Sequence, residues 1–170
     1  LAYDESGKPA RIDKGFTWEN PMSSHGLMHT VIANCHSGDP YKIDTLFLYM
    51  ANMAWNSSMN TEETIKKLTE KDVKTGEYKI PKIIYSDSYY SETVAFADLI
   101  LPDTTYLERY DCISLLDRPI GEPDQVSDAI RWPVVKPDRD VRSFQDVLLQ
   151  LGALLELPGM VDNNKKPLYE

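Results

Sequence analysis

Three groups of polar and aromatic residues in this 170-residue chain each follow an apolar run closely. Asn52, Asn56 and Asn60 come just after the run Thr45–Met50, with the flat ring of Trp55 among them. Ser86, Asp87, Tyr89 and Tyr90 follow a second run that begins at Lys82, and Arg109 comes shortly after a third, Leu99–Leu101. A carboxylate such as Asp87 accepts hydrogen bonds from the donor edge of guanine or from ribose hydroxyls. An arginine such as Arg109 meets a phosphate or stacks on a base. No GxGxxG sequence and no Walker loop is present, so ordinary dinucleotide or triphosphate binding lacks its usual support. Spacing alone leaves two readings open: plain connectors, or a nucleotide-type site.

Other constellations carry less. His25, His29, Cys35 and His36 are metal-capable, but no carboxylate or second cysteine completes a known ligand spacing. Surface or capping roles suit them better. Cys35 and Cys112 cannot supply the four thiolates of a structural zinc site or an iron–sulfur cluster. No Ser/His/Asp signature appears, and the adjacent pair Cys35-His36 is not a catalytic geometry. The chain offers no convincing catalytic set of its own.

The elements that must position these residues follow from hydrophobic pattern and capping. Thr45–Met50 is short, aromatic and apolar on both faces, as a strand inside a parallel sheet requires. Asn60 and Glu63 have capping-box spacing, which predicts a helix running through Ile65 and Leu68 to about Lys71. Lys74–Glu77 reads as a turn and Lys82–Ser86 as a second buried strand, completing a right-handed βαβ unit. Ser91 is placed to cap a short helix over Glu92–Ala97, and Leu99–Leu101 is a third strand stopped by Pro102. Ile113–Leu116 and Ala129–Val135 read as shorter strands or extended segments with Pro-rich connections. Ser143 opens the last helix, closed by Pro158-Gly159; its residues Val147, Leu148, Leu151, Leu154 and Leu155 recur at helical spacing and are expected to pack into the core. The class is α/β, a Rossmann-like, mostly parallel sheet flanked by helices. In such sheets ligands bind beyond the carboxyl ends of the strands, where the three polar groups fall.

Composition sets the limits. Hydrophobic residues make up 42% and charged residues 26%, ordinary for a globular domain. A chain this long buries roughly 70% of its unfolded surface and needs no disulfide to hold a core. The net charge of −9 argues against a nucleic-acid partner. No apolar run approaches the ~18 residues of a membrane span. The chain opens at Leu1 without an initiator Met or an apolar signal core, and stops at Pro167-Leu168-Tyr169-Glu170. Both ends read as cut points in a longer polypeptide. The expected organisation is an irregular lead-in over 1–42, an α/β domain over 43–160 and a tail over 161–170.

The stretch Ile83-Ile-Tyr-Ser-Asp-Ser-Tyr-Tyr-Ser-Glu-Thr-Val-Ala-Phe-Ala-Asp-Leu-Ile-Leu-Pro-Asp-Thr-Thr-Tyr-Leu-Glu-Arg109 resembles the large catalytic subunits of the dimethyl sulfoxide reductase family of molybdopterin oxidoreductases. Members share a strand ending near Asp, a short helix with Thr and Ala, an "A-D-(I/L/V)-(I/V)-L-P" strand, and an "E-(K/R)" after it. Thr45–Asn60 resembles the family's hydrophobic strand and Asn-bearing loop, and Gly152–Gly159 matches more loosely. The wording around Trp55-Asn-Ser-Ser and Asp111–Pro119 is most similar to the branch handling sulfur compounds, such as tetrathionate, thiosulfate or polysulfide reductases and sulfite dehydrogenases.

The resemblance implies a domain gripping one guanosine end of a bis(molybdopterin guanine dinucleotide) cofactor carrying molybdenum or tungsten. By position Asn52 matches the loop Asn, Ser86 and Asp87 the strand-end pair, and Arg109 the basic residue after Glu108. An Asp that members often carry just inside the last helix has no counterpart, because Phe144 follows Ser143 and only Asp140 or Asp146 is near. The resemblance also implies that metal ligand and iron–sulfur cluster lie on other segments. Implied partners are other domains of the same chain, a membrane anchor subunit, and an iron–sulfur electron-transfer subunit. The alternative from another class is a stand-alone guanine-nucleotide-binding module without redox activity.

Overall fold

The computed structural model describes residues 3, 7–9, 30–39, 41–56, 60–113 and 129–169. The expectations for His25, His29, most of the lead-in and Ser114–Leu116 lie outside them. Two compact units emerge, residues 1–100 and 101–170, with the division inside a strand. Among the described residues no helix is long and apolar enough to cross a membrane.

The first unit is built on a parallel sheet. Strand β1 (Thr45–Tyr49) pairs with β2 (Lys82–Asp87), Thr45 opposite Lys82 and Tyr49 opposite Ser86, and β3 (Leu99–Pro102) lies on the other side of β2. Helix α1 (Val31–Ser37) precedes β1, and α2 (Thr61–Thr69) carries the crossover from β1 to β2. The α/β class with a parallel sheet flanked by helices is therefore what the chain adopts.

Helix α2 starts where the capping box put it: the Asn60 side chain accepts from the Glu63 amide at 3.1 Å. A Glu63–Lys67 pair one turn apart supports its surface at 2.9 Å. Its inner face delivers Leu68 to a core of Ile32, Cys35, Leu46, Leu48, Ile83, Tyr85 and Val94. Strand β1 alternates buried and less buried residues, since successive side chains leave opposite faces, and β2 does so until Tyr85 and Ser86, which are both buried. Burial pushes the Cys35 thiol up to about 12, so it remains an unreactive core residue. The predicted helix at Glu92–Ala97 is a 3-10 turn over Glu92–Phe96. Ser91 precedes it without a side-chain capping bond, because its hydroxyl is engaged by Tyr85 instead.

The second unit is organised differently. Strands β4 (Asp111–Ile113) and β5 (Ala129–Arg131) form an antiparallel pair with Asp111 opposite Arg131. Strand β5 is shorter than the expected Ala129–Val135, and Pro133, which has no N–H to give a ladder, lies just beyond it. Helix α3 (Phe144–Leu154) is capped by Ser143, which accepts from the Asp146 amide at 3.2 Å.

One expectation fails here. The leucine stripe of α3 is not core: Leu148 is 46% exposed, Leu151 37%, Leu154 80% and Leu155 67%. The buried point of the helix is Gly152, where an added Cβ would come within 2.7 Å of the Met160 side chain. Among the described residues of this unit, the buried side chains are polar: Asp103, Thr104, Arg109 and Ser143.

Candidate functional site

The carboxyl ends of β1 and β2 lie side by side, because the strands are parallel and in register. At the end of β1 the chain turns through Met50, a non-glycine residue at φ +47°, whose amide donates to Ser86 O at 3.0 Å. The following loop anchors Met53 and Ala54 in the core and leaves Trp55 61% exposed.

Four hydrogen bonds clasp this loop to the turn after β2. Asn52 Oδ1 accepts from the Thr93 hydroxyl at 2.6 Å and the Thr93 amide at 3.1 Å. Asn52 Nδ2 donates to Glu92 Oε2 at 2.5 Å, and the Ala54 amide donates to Thr93 Oγ1 at 2.8 Å. Thr93 is fully buried, so its hydroxyl both accepts and donates inside the protein. The Asn52 amide, foremost, holds the Glu92 carboxyl below its ordinary range. Sequence alone points to Asn52 as a ligand. The structure shows both ends of its amide joined to the neighbouring loop. Thr93 and Glu92 escape sequence reasoning, since a Glu-Thr pair at a turn carries no distinguishing pattern.

Asp87, at the end of β2, is half-buried and aimed by its neighbours. Its Oδ1 accepts from the Tyr89 amide at 3.0 Å and its Oδ2 from the Tyr85 hydroxyl at 3.1 Å, which also contacts Ser91 Oγ at 2.9 Å. Burial, first of all, pushes the Tyr85 phenol above its ordinary value, so it stays a proton donor to Asp87. Two fixed donors use only part of the carboxylate's acceptor capacity, roughly four lone-pair sites. Beside Asp87, Ser86 Oγ is fully buried and makes no hydrogen bond among the described residues. Tyr89 and Tyr90 are largely exposed. The end of β2 thus presents a carboxylate with acceptor capacity to spare beside two exposed aromatic rings, while the Ser86 hydroxyl stays inside the protein.

Arg109 belongs to the second unit and is engaged there. Its Nη1 donates to Asp103 Oδ2 at 2.6 Å and to Thr104 O at 3.1 Å, while Asp111 lies 3.6 Å from Nε and the Tyr106 ring 5.0 Å from the guanidinium carbon. Only 4% of its side chain is exposed. The Asp103 carboxylate also accepts from the amides of Thr104 at 2.7 Å and Phe144 at 3.1 Å, tying the loop to the start of α3. Next to it Glu108 receives Arg139 in a two-pronged pair at 2.5 and 2.7 Å, which lowers its carboxyl to about 2. An open cleft of about 850 Å³ borders these residues, lined among others by Arg109, Tyr110, Asp111 and Arg142.

Comparison with known proteins identifies the family. The family model "Molybdopterin oxidoreductase" matches residues 23–142, most of the chain. The chain is 56% identical over 169 residues to a sulfite dehydrogenase subunit of Allochromatium vinosum, covering 99% of this chain and 17% of that protein. It is 30% identical over 132 residues to the thiosulfate reductase molybdopterin-containing subunit PhsA of Salmonella typhimurium, covering 78% of this chain and 15% of that one. Against a tetrathionate reductase subunit of the same organism it is 26% identical over 147 residues, covering 81% of this chain and 13% of the relative. The chain thus spans less than a fifth of the length of these relatives. These are the sulfur-compound enzymes that the wording of the sequence resembles, and a family of this kind implies a molybdopterin cofactor. The chain belongs to the molybdopterin oxidoreductase family.

Proposed function

We propose that the first unit holds a guanosine end of a bis(molybdopterin guanine dinucleotide) cofactor, within an oxidoreductase acting on a sulfur oxyanion or polysulfide. The observation that carries this reading is Asp87: a carboxylate at the end of a central parallel strand, fixed by Tyr85 and Tyr89 with acceptor capacity left over. It accepts from the N1–H and exocyclic amine of guanine, a pairing that adenine's edge does not offer. Trp55 or Tyr89 gives the ligand a face to stack on, and the fully buried Ser86 shapes the strand end behind Asp87. Asn52 and Arg109 contribute differently. Asn52 shapes the loop that bears Trp55, and Arg109 holds the segment after β3 through Asp103. When bound, the cofactor supplies two-electron redox chemistry; these residues bind and orient its nucleotide end.

The substrate class follows from the relatives' names, which specify sulfite, thiosulfate and tetrathionate. All three relatives are subunits of larger enzymes, in line with a membrane anchor and an iron–sulfur electron-transfer subunit as partners. The iron–sulfur cluster of the complete enzyme is placed outside these residues.

The test is the content of the full-length protein purified from a host that makes the pterin cofactor. Molybdenum or tungsten should accompany guanine nucleotide released by acid, with iron alongside. D87N should lower nucleotide retention about tenfold or more, the effect of losing hydrogen bonds to a charged acceptor. Protein containing the metal but no guanine nucleotide would refute the site reading. Protein with neither metal under replete conditions would refute the cofactor reading itself.

A further inference from the structure

We infer, on the strength of the guanosine reading above, that Met50 is a further contact residue of the strand-end site, its thioether meeting the flat base whose edge Asp87 receives. Tyr49 and Ser86 are partners in register, and Met50 and Asp87 each stand one position beyond them. The two residues therefore lie at the same level on adjacent strand ends, where ligands of parallel sheets bind. The Met50 amide fixes that level by donating to Ser86 O at 3.0 Å.

What singles Met50 out is its backbone. At φ +47° it occupies the left-handed region, where a Cβ is crowded and glycine is at ease. The same unit meets this conformation with glycine at Gly38 and Gly76. Among the described residues two other side chains adopt it, Glu156 and Lys165, both exposed and paired with each other at 2.7 Å. Met50 is different, being apolar and half-buried at the end of a strand. Core packing does not account for it. Ala51 packs against the core and Met53 belongs to it, whereas Met50 does neither. Strained residues that persist in this way cluster at ligand sites. An unbranched, polarisable methionine moulds to a flat ring and makes favourable sulfur–aromatic contacts. Glycine, which this backbone favours, would give the base nothing to lie against.

The test uses the full-length protein from a host that makes the pterin cofactor, with guanine nucleotide released by acid after dialysis as the measure of retention. M50G relieves the backbone and removes the side chain. Retention should fall about fivefold, the scale of one sulfur–aromatic contact. Hydrogen exchange of the β1 and β2 amides should stay as slow as in the parent or become slower. M50L restores an apolar side chain of similar volume and should bring retention back to within about twofold of the parent. M50G that keeps its nucleotide like the parent would overturn the inference, and so would M50L as poor as M50G. Faster exchange of the strand amides in M50G would overturn it too, because the methionine would then serve the fold. D87N separates this contact from the reading beneath it. Nucleotide lost in D87N but kept in M50G sinks the Met50 contact alone, whereas nucleotide kept in both, or absent from the parent, sinks the guanosine reading itself.

Discussion

Replacing Thr93 by valine tests the clasp between the two strand-end loops. Valine matches threonine in shape, so T93V keeps the packing and deletes one hydroxyl. Two bonds go with it, Thr93 Oγ1 to Asn52 Oδ1 at 2.6 Å and the Ala54 amide to Thr93 Oγ1 at 2.8 Å. Ala54 is completely buried, so its N–H is left without water to replace the lost acceptor. An orphaned buried donor costs about 1–3 kcal/mol and a lost net hydrogen bond about 0.5–1.5 kcal/mol. The expected destabilisation is about 2–4 kcal/mol. T93S keeps the hydroxyl and loses a methyl, at about 1 kcal/mol. Urea unfolding followed by far-UV circular dichroism reads both as shifts in midpoint at constant slope. If T93V stays within about 0.5 kcal/mol of the parent while T93S costs more, packing rather than hydrogen bonding holds the loops, and the reasoning fails.

Three other outcomes are expected. D103N leaves the buried Arg109 guanidinium only its longer contact to Asp111 and should destabilise the second unit by about 3 kcal/mol, the low end for breaking a buried pair, seen as a lowered thermal midpoint. N60A removes the α2 cap and should cost about 1 kcal/mol in urea unfolding, with N60D close to the parent. Acid stability should follow Glu70 and Glu108, both lowered from the ordinary 4.5 to about 2, Glu70 chiefly by Lys79 and then His36, Glu108 chiefly by Arg139. A depressed carboxyl stabilises the fold fully above its unfolded value and loses that contribution as pH falls towards the folded one. Thermal midpoints should thus decline from about pH 4.5 to about pH 2, and E70Q with E108Q should flatten the decline.

The sheet was legible because its signals are local. The apolar run of β1, the Asn60–Glu63 box and the run of β2 each specify one element, and their order fixes the crossover. The place of Asp87 at the end of β2 was legible for the same reason. What could not be read were roles decided by distant partners. Asn52 presents a ligand-like amide, yet residues 40 and 41 positions away use both its ends. Ser91 looks like a cap, but Tyr85 competes for its hydroxyl. Arg109 reads as a phosphate partner until Asp103, six residues earlier, proves to be buried beside it. The leucines of α3 have the period of a buried face, and a period does not say which body buries it.

The clasp has a consequence for how the molecule comes into being. Its bonds join residues separated by 39 to 41 positions, so none can form until β1, the crossover helix and β2 have all condensed. The β1–β2 ladder closes a loop of nearly the same length, so ladder and clasp meet the same loop-closure entropy and form together, after the local helix α2. The Trp55 loop accordingly takes its shape with the sheet and not before it. Hydrogen exchange of the buried Ala54 amide, which the clasp protects, would therefore report when the sheet closes.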